Sequence, residues 1–214
     1  RRGSVDVSRQ SDYAASMKLI FATQNKNKVV EVAAIFEGTN IELVTLAAYP
    51  EIPEPPETQD TFAGNALQKA RFVYGQTGLP CIADDSGLEV DVLEGAPGVH
   101  SKRFSAAATG PANNALLLQK LTGINERTAR FRCTIALVYE TFAKTAEGRC
   151  EGSIGVAERG HNGFGYDPLF LPDESSPLTM AELSMADKNA ISHRGRAFRQ
   201  LPGLLDDLSD YLEE

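Results

Sequence analysis

The sequence predicts an α/β protein. Lys18–Ala22 is a short apolar run, and Val29, Val32, Ala33 and Phe36 follow it at helical spacing. Cys81–Ala83 is a second buried run, and Leu88–Val92 beyond it alternates with the period of a strand that has one face covered. Two further strand-like runs, Ala129–Tyr139 and Arg149–Glu158, lie after the strand–helix units and read as an antiparallel pair joined by the residues between them. Their place in the chain suggests a second lobe.

The elements follow in order. Arg1–Ser16 is polar and aperiodic, and is expected to be a disordered extension preceding a natural start at Met17. Residues 17–214 are then one domain of two lobes. After the first strand comes Thr23-Gln24-Asn25-Lys26-Asn27-Lys28, and the spacing predicts a helix over Lys28–Glu37 stopped by Gly38. A polar loop between a strand and a helix N-terminus attracts anions through backbone N–H groups and the helix dipole. Taken alone, the loop reads first as Thr23, Asn25 and Asn27 simply capping the helix. The glycines of a Walker A loop are missing.

Ile41–Leu46 reads as a second strand. Ala47–Asp60 carries four prolines and several acids, so it is an extended acidic loop, with Glu57 nearest the next helix. That helix is predicted over Thr61–Thr77, with Thr61 as N-cap and Gly78 with Pro80 as its stop. Asn65 and Lys69, four apart, share one of its faces.

Asp84-Asp85-Ser86-Gly87 interrupts the Cys81–Ala83 run. Two adjacent carboxylates disfavour joint ionisation unless a cation offsets them. Successive strand residues point to opposite faces, so for both acids to reach one site the strand must end between them, with Gly87 allowing the bend. Such a turn is either a carboxylate site for a divalent metal or a turn in which Asp and Ser cap backbone groups.

Pro111 begins a helix to Leu121. Arg159–Pro168 is a glycine-rich loop whose Phe164 and Tyr166 either stack on a flat ring or fill the core. Thr179–Glu182 fits a capping box. Asp187–Gly195 presents Lys188, His193 and Arg194 near a helix start at Ser192, a cluster suited to clamping phosphate or reading a base. Pro202 is expected to break or kink the C-terminal amphipathic helix.

Composition narrows the function classes. The 214 residues are 42% hydrophobic with a net charge of −8, which argues against wrapping a nucleic-acid polymer. No apolar run is long enough for a membrane span, and no signal-peptide pattern is present. Cys81, Cys133 and Cys150 form no CxxC pair and read as reduced core residues of an intracellular, cytoplasmic protein. His100, His161 and His193 are too scattered for a zinc site.

The order of five blocks carries a resemblance: FATQNKNK (21–28), ETQDTFAGNALQKA (57–70), ADDSGLEVDVLEGAPGVHSKRFS (83–105), GFGYDPLF (163–170) and AEL…DKNAISHRG (181–195). In these the chain resembles the inosine triphosphate pyrophosphatase family, the non-canonical purine NTP or XTP/dITP diphosphatases, over roughly 17–201. The resemblance implies an elongated mixed β-sheet flanked by helices, two lobes around a central cleft, and usually a homodimer. It implies Mg²⁺-dependent hydrolysis of ITP, dITP and XTP to monophosphate and pyrophosphate. By the same resemblance Asp85 is the catalytic acid, and Glu57 with Asp85 ligates the metal. Thr23, Gln24, Asn25, Lys26, Asn27 and Lys28 form the triphosphate loop, with Lys69 as a further phosphate contact and Ser86 touching substrate. Phe164, Gly165, Tyr166, Asp167, Lys188, His193 and Arg194 form the nucleotide and base pocket. Asp84 is a further acid of the same turn. The family often has glycine where this chain has Gln24, which bears on the geometry of the phosphate loop. A Maf-like pyrophosphatase for other modified nucleotides and a catalytically silent nucleotide-binding module are the alternatives.

Overall fold

A computed structural model describes residues 18–213; the expected N-terminal extension and Met17 lie outside them. One six-stranded mixed sheet runs β2-β1-β3-β4-β5-β6, built from β1 (Leu19–Phe21), β2 (Leu43–Thr45), β3 (Cys81–Val90), β4 (Thr128–Tyr139), β5 (Phe142–Ile154) and β6 (Phe170–Pro172). β1 pairs in parallel with β2 and β3, whereas β3, β4, β5 and β6 pair antiparallel in succession. The helices are α1 (Lys26–Ile35), α2 (Phe62–Thr77), α3 (Gly110–Lys120), α4 (Met185–Ile191), α5 (His193–Phe198) and α6 (Leu201–Glu213).

Alternation along the strands feeds three cores. Leu19, Phe21 and Ile82 face α1, α5 and α6 and pack on Val32, Phe198 and Leu201. Ile20, Cys81 and Ala83 face the other way, onto Ala66, Ala70 and Val73 of α2. Leu88, Val90 and Phe131, farther along the long strands, pack with Leu117, Leu121 and Phe170. The three cysteines are free and buried, as expected.

Several expectations change. α1 begins at Lys26, not Lys28, because the Asn25 side chain accepts from the N–H groups of Asn27 and Lys28 and caps the helix two residues early. The second strand covers only Leu43–Thr45, and Leu46–Ala48 coils into a 3₁₀ turn. The fifth strand starts at Phe142, so no long loop joins β4 to β5; Glu140 and Thr141 make the turn, with Glu140 at φ 50°. Pro202 sits in the first turn of α6, where its missing N–H costs nothing, so it opens that helix rather than kinking it. Thr61 and Gly78 cap α2 and the Thr179–Glu182 capping box forms, both as predicted.

The largest change is at the two acids. β3 does not end between Asp84 and Asp85; it runs unbroken for ten residues, Cys81–Val90, and pairs with β4 throughout. Its other neighbour is what stops. β1 pairs only as far as Phe21 opposite Ile82, and β3 beyond it keeps an edge uncovered by β1. Gly87 accordingly is not a bend. It lies in extended backbone, where a Cβ would meet the Gly98 carbonyl oxygen at 2.3 Å and Ser101 Oγ at 2.6 Å.

Candidate active site

The uncovered edge of β3 borders a cleft of about 430 Å³, large enough for a nucleotide-sized ligand. Strand alternation sends Asp84 and Ser86 toward α1 and α5, and sends Asp85 toward α2. Because the edge between these two faces is open, side chains from both reach one cleft.

On the α2 side, Asn65 Nδ2 donates to Asp85 Oδ2 at 2.9 Å, and the Ser86 N–H donates to Asp85 Oδ1 at 3.0 Å. Lys69 Nζ lies 2.7 Å from Glu57 Oε1 and 3.7 Å from Asp85 Oδ1. Its ammonium therefore occupies the space between the two expected metal ligands. Burial pushes the Asp85 carboxyl above its ordinary pKa, partly offset by the Lys69 and Lys28 charges. Burial lowers the Lys69 pKa, but Asp85, Asp84 and Glu57 outweigh that and hold it above its ordinary value.

On the α1 side, Asp84 is fully buried. Its Oδ2 lies 2.9 Å from Lys28 Nζ and 3.3 Å from Arg194 Nε. Burial alone raises its pKa, but Lys28 and Arg194 reverse this and hold the carboxyl well below the carboxylate range. Arg194 is fixed further by Glu31 Oε2 at 2.5 Å and by Ser86 Oγ, which accepts from Nη2 at 2.8 Å. Lys188 Nζ bridges Glu31 Oε1 at 2.5 Å and Asp167 Oδ2 at 2.6 Å. Gly163, at φ 76°, makes room for that pair: a Cβ there would lie 2.1 Å from Asp167 Oδ2 and 2.9 Å from Lys188 Nζ.

The aromatic residues of the glycine-rich loop divide between the two roles open to them. Tyr166 is core, buried with its hydroxyl donating to the Ser101 carbonyl at 2.9 Å. Phe164 is half-exposed, with Lys188 Nζ 5.2 Å and the Arg194 guanidinium 5.6 Å from its ring. His193 stacks on Phe131 at 4.6 Å, and its buried Nδ1 has no protein partner. Burial first, then the Arg194 and Lys188 charges, holds its imidazole well below its ordinary pKa, hence neutral at pH 7.

The cleft lining includes Thr23, Gln24, Asn25, Asn27, Lys28, Glu57, Lys69, Asp85, Ser86, Phe164, Gly165, Tyr166, Asp167, Lys188, His193 and Arg194. Lys26 is not among them; it is exposed at the first position of α1. Asp84 stands behind the lining as a buried counter-ion. Gln24 has no positive φ and donates from Nε2 to the Ile52 carbonyl at 3.2 Å, so the loop does not require glycine there. Sequence reasoning passed over Glu31, which organises both Lys188 and Arg194. Its one signal was a charge three residues after Lys28 on a short helix, indistinguishable from a surface pair.

Two carboxylates, Glu57 and Asp85, already share one cation, and hard oxygen ligands suit Mg²⁺, which takes one or two carboxylates and completes its shell with phosphate and water. No group of three or more His, Cys, Asp or Glu suited to a metal exists among the described residues. The donor set thus fits an ion that a phosphate-bearing ligand helps to hold.

Residues 19–203 match the model of the Ham1 family. The dITP/XTP pyrophosphatase of Geobacter sulfurreducens is 50% identical over 188 residues, covering 86% of this chain and 94% of that protein. The dITP/XTP pyrophosphatase of Desulforamulus reducens is 47% identical over 196 residues, covering 90% and 97%. Among solved structures, a HAM1 protein from Coxiella burnetii superposes with a TM-score of 0.81 at 38% identity, covering 90% of this chain and all of that one. The nucleoside-triphosphatase / dITP/XTP pyrophosphatase from Mycobacterium abscessus gives 0.70 at 46% identity, covering 86% and 98%.

Proposed function

This chain belongs to the Ham1 family, and on that premise we propose that it hydrolyses the non-canonical purine nucleoside triphosphates ITP, dITP and XTP to monophosphate and pyrophosphate. The observation that carries the reading is the open β3 edge, where Glu57, Asp85 and Lys69 meet beside a loop that caps a helix N-terminus.

Asp85 is the catalytic residue in this reading. Its carboxylate is oriented by Asn65 and the Ser86 N–H, and it takes a proton from the attacking water, a role typically worth ~10²–10⁴-fold in rate. Glu57 and Asp85 would hold a divalent cation, Mg²⁺ in the proposed reaction, which would supply neutralisation of charge on the phosphate oxygens. Lys28 and Lys69 stabilise negative charge as the pyrophosphate leaves. The side chains of Thr23, Asn25 and Asn27, beside the positive end of the α1 dipole, hold phosphate oxygens.

Selectivity falls to the other end of the cleft. Phe164 offers its ring to the purine. Glu31, Asp84 and Asp167 keep Lys188 and Arg194 rigid, leaving a third Lys188 N–H and two Arg194 N–H groups unspent. Such groups donate to the 6-keto oxygen of hypoxanthine or xanthine. Adenine presents a donor there, and an unpaired buried group is worth roughly 10⁴–10⁵-fold in discrimination. We further propose a homodimer acting in the cytoplasm, clearing these nucleotides from the pool.

The test is pyrophosphate release from ITP, XTP, ATP, dUTP and modified pyrimidine triphosphates under matched conditions. ITP and XTP should be turned over far faster than the rest. Preference for a pyrimidine triphosphate would favour the Maf-like alternative, and no release from any would sink the enzymatic reading.

A further inference from the structure

The two carboxylates assigned to the metal are already engaged. Asp85 Oδ2 accepts from Asn65, Asp85 Oδ1 accepts from the Ser86 N–H, and Glu57 Oε2 lies 3.6 Å from Arg103 Nη1. Lys69 Nζ joins the pair from between, 2.7 Å from Glu57 Oε1 and 3.7 Å from Asp85 Oδ1. Mg²⁺ takes its oxygens at about 2.0–2.1 Å, and a divalent cation on the oxygens that hold an ammonium is repelled by it.

Lys69 has nowhere else to go in the free protein. Its side chain is 7% exposed and rooted on α2, and Glu57 and Asp85 are its ion-pair partners among the described residues. An ammonium that left both would be a buried charge without an acceptor, a costly state. The other acids near the cleft are committed: Asp84 holds Lys28 and Arg194, and Glu31 holds Lys188 and Arg194. A divalent cation arriving alone would therefore face the ammonium directly. A triphosphate arriving with it supplies negative charge to both and new acceptors to the lysine, which lines the cleft.

Resting on the metal site of the function proposed above, we propose that Lys69 is a place-holding cation: its ammonium shuts divalent metal out of the Glu57–Asp85 pair in the free protein, and gives way when a nucleotide's phosphates offer it another acceptor. Until then it neutralises the two carboxylates and keeps them together.

The experiment is a titration of Mn²⁺ into the full chain without nucleotide, read by the paramagnetic signal of the unbound ion. Lys69→Met keeps an unbranched apolar side chain and removes the charge, and should bind Mn²⁺ at least about tenfold tighter than the unmodified protein. Lys69→Gln keeps a hydrogen-bond donor for Glu57; it should also bind tighter, and it decides the matter if the methionine variant fails to fold. Adding Asp85→Asn to either should remove the gain. Lys102→Gln takes one positive charge from the cleft wall outside this pair, and should change Mn²⁺ affinity by less than about threefold. With the non-cleavable α,β-imido analogue of ITP present, the advantage of the Lys69 variants should disappear. The thermal midpoint separates a place-holder from a structural lysine. Lys69→Met should melt lower without metal and regain about 5 °C or more in saturating Mn²⁺, whereas the unmodified protein moves by less than about 3 °C. Unchanged Mn²⁺ affinity in the folded Lys69 variant overturns the proposal. So does a gain matched by Lys102→Gln, kept in full without Asp85, or kept in full with the analogue bound, and so does lost stability that Mn²⁺ does not restore. Pyrophosphate release from ITP by the unmodified protein is measured in parallel: its absence overturns the proposed function, while the nucleotide-free titration decides the Lys69 assignment separately.

Discussion

Asp84 and Asp85 are adjacent, yet their surroundings set them to opposite tasks. Asp85 keeps hydrogen bonds from Asn65 and the Ser86 N–H and lines the cleft. Asp85→Asn preserves its shape and removes its charge, so pyrophosphate release from ITP should fall by at least ~10²-fold while the thermal midpoint stays within a few degrees. Full activity in that variant would refute the assigned role. Asp84 instead neutralises Lys28 and Arg194 out of reach of water. Asp84→Asn leaves two buried cations short of a partner, a loss of roughly 3–5 kcal/mol, or on the order of 10 °C in midpoint at pH 7. The sign with pH follows from the depressed carboxyl: its contribution is complete above the unfolded pKa near ~4 and is lost as pH falls below it toward the folded value. Calorimetric midpoints of the two proteins should therefore converge progressively below about pH 4; a gap independent of pH would contradict the ion-pair account.

At the scale of elements, two packing contacts position the site. β3 keeps a free edge because β1 stops short, and a 3₁₀ segment (Gly98–Arg103) closes against Gly87 so tightly that no side chain fits. α5 is set by its contact with β5, where a Cβ on Gly148 would lie 2.2 Å from the His193 carbonyl oxygen and 2.4 Å from the Ala197 nitrogen. Since His193 and Arg194 open α5 and line the cleft, displacing that helix moves one wall of the cleft. Gly148→Ala should cost about 1–3 kcal/mol or more by denaturant unfolding and also raise the KM for ITP. A variant that loses stability but keeps its KM would uncouple the contact from the site.

For the whole molecule, the sheet is continuous, with α1, α5 and α6 on one face, α2 on the other and a further core along the long strands. The three cores are hydrophobic, and Lys69 already balances Glu57 and Asp85. On the proposed reading, a divalent cation there would serve chemistry rather than folding. Chelation with EDTA should abolish pyrophosphate release while the thermal midpoint moves by less than about 3 °C, as seen by scanning calorimetry with and without added Mg²⁺. A large drop in midpoint would make the metal structural instead.

Local chemistry made much of this legible in advance. Thr61 and Gly78 bound α2, Thr179 and Glu182 form their box, and Asn65 with Lys69 reach Asp85 from one face of α2, because caps and helical spacing act within a few residues. The five blocks in order identified the family and most of the lining. Other features depended on contacts between segments far apart in the chain. Nothing near Asp84 announces that β3 runs on beside a neighbour that ends, since a strand's edge is a property of two segments. Lys26 and Lys28 look alike in sequence, but the Asn25 cap turns one outward and the other onto Asp84. Glu31 reads as a surface charge until Lys188 and Arg194, more than 150 residues away, close over it. Composition and spacing determined the elements and the chemistry available; only tertiary packing decided which charges are buried together and which face the cleft, because desolvation and ion pairing depend on neighbours in space.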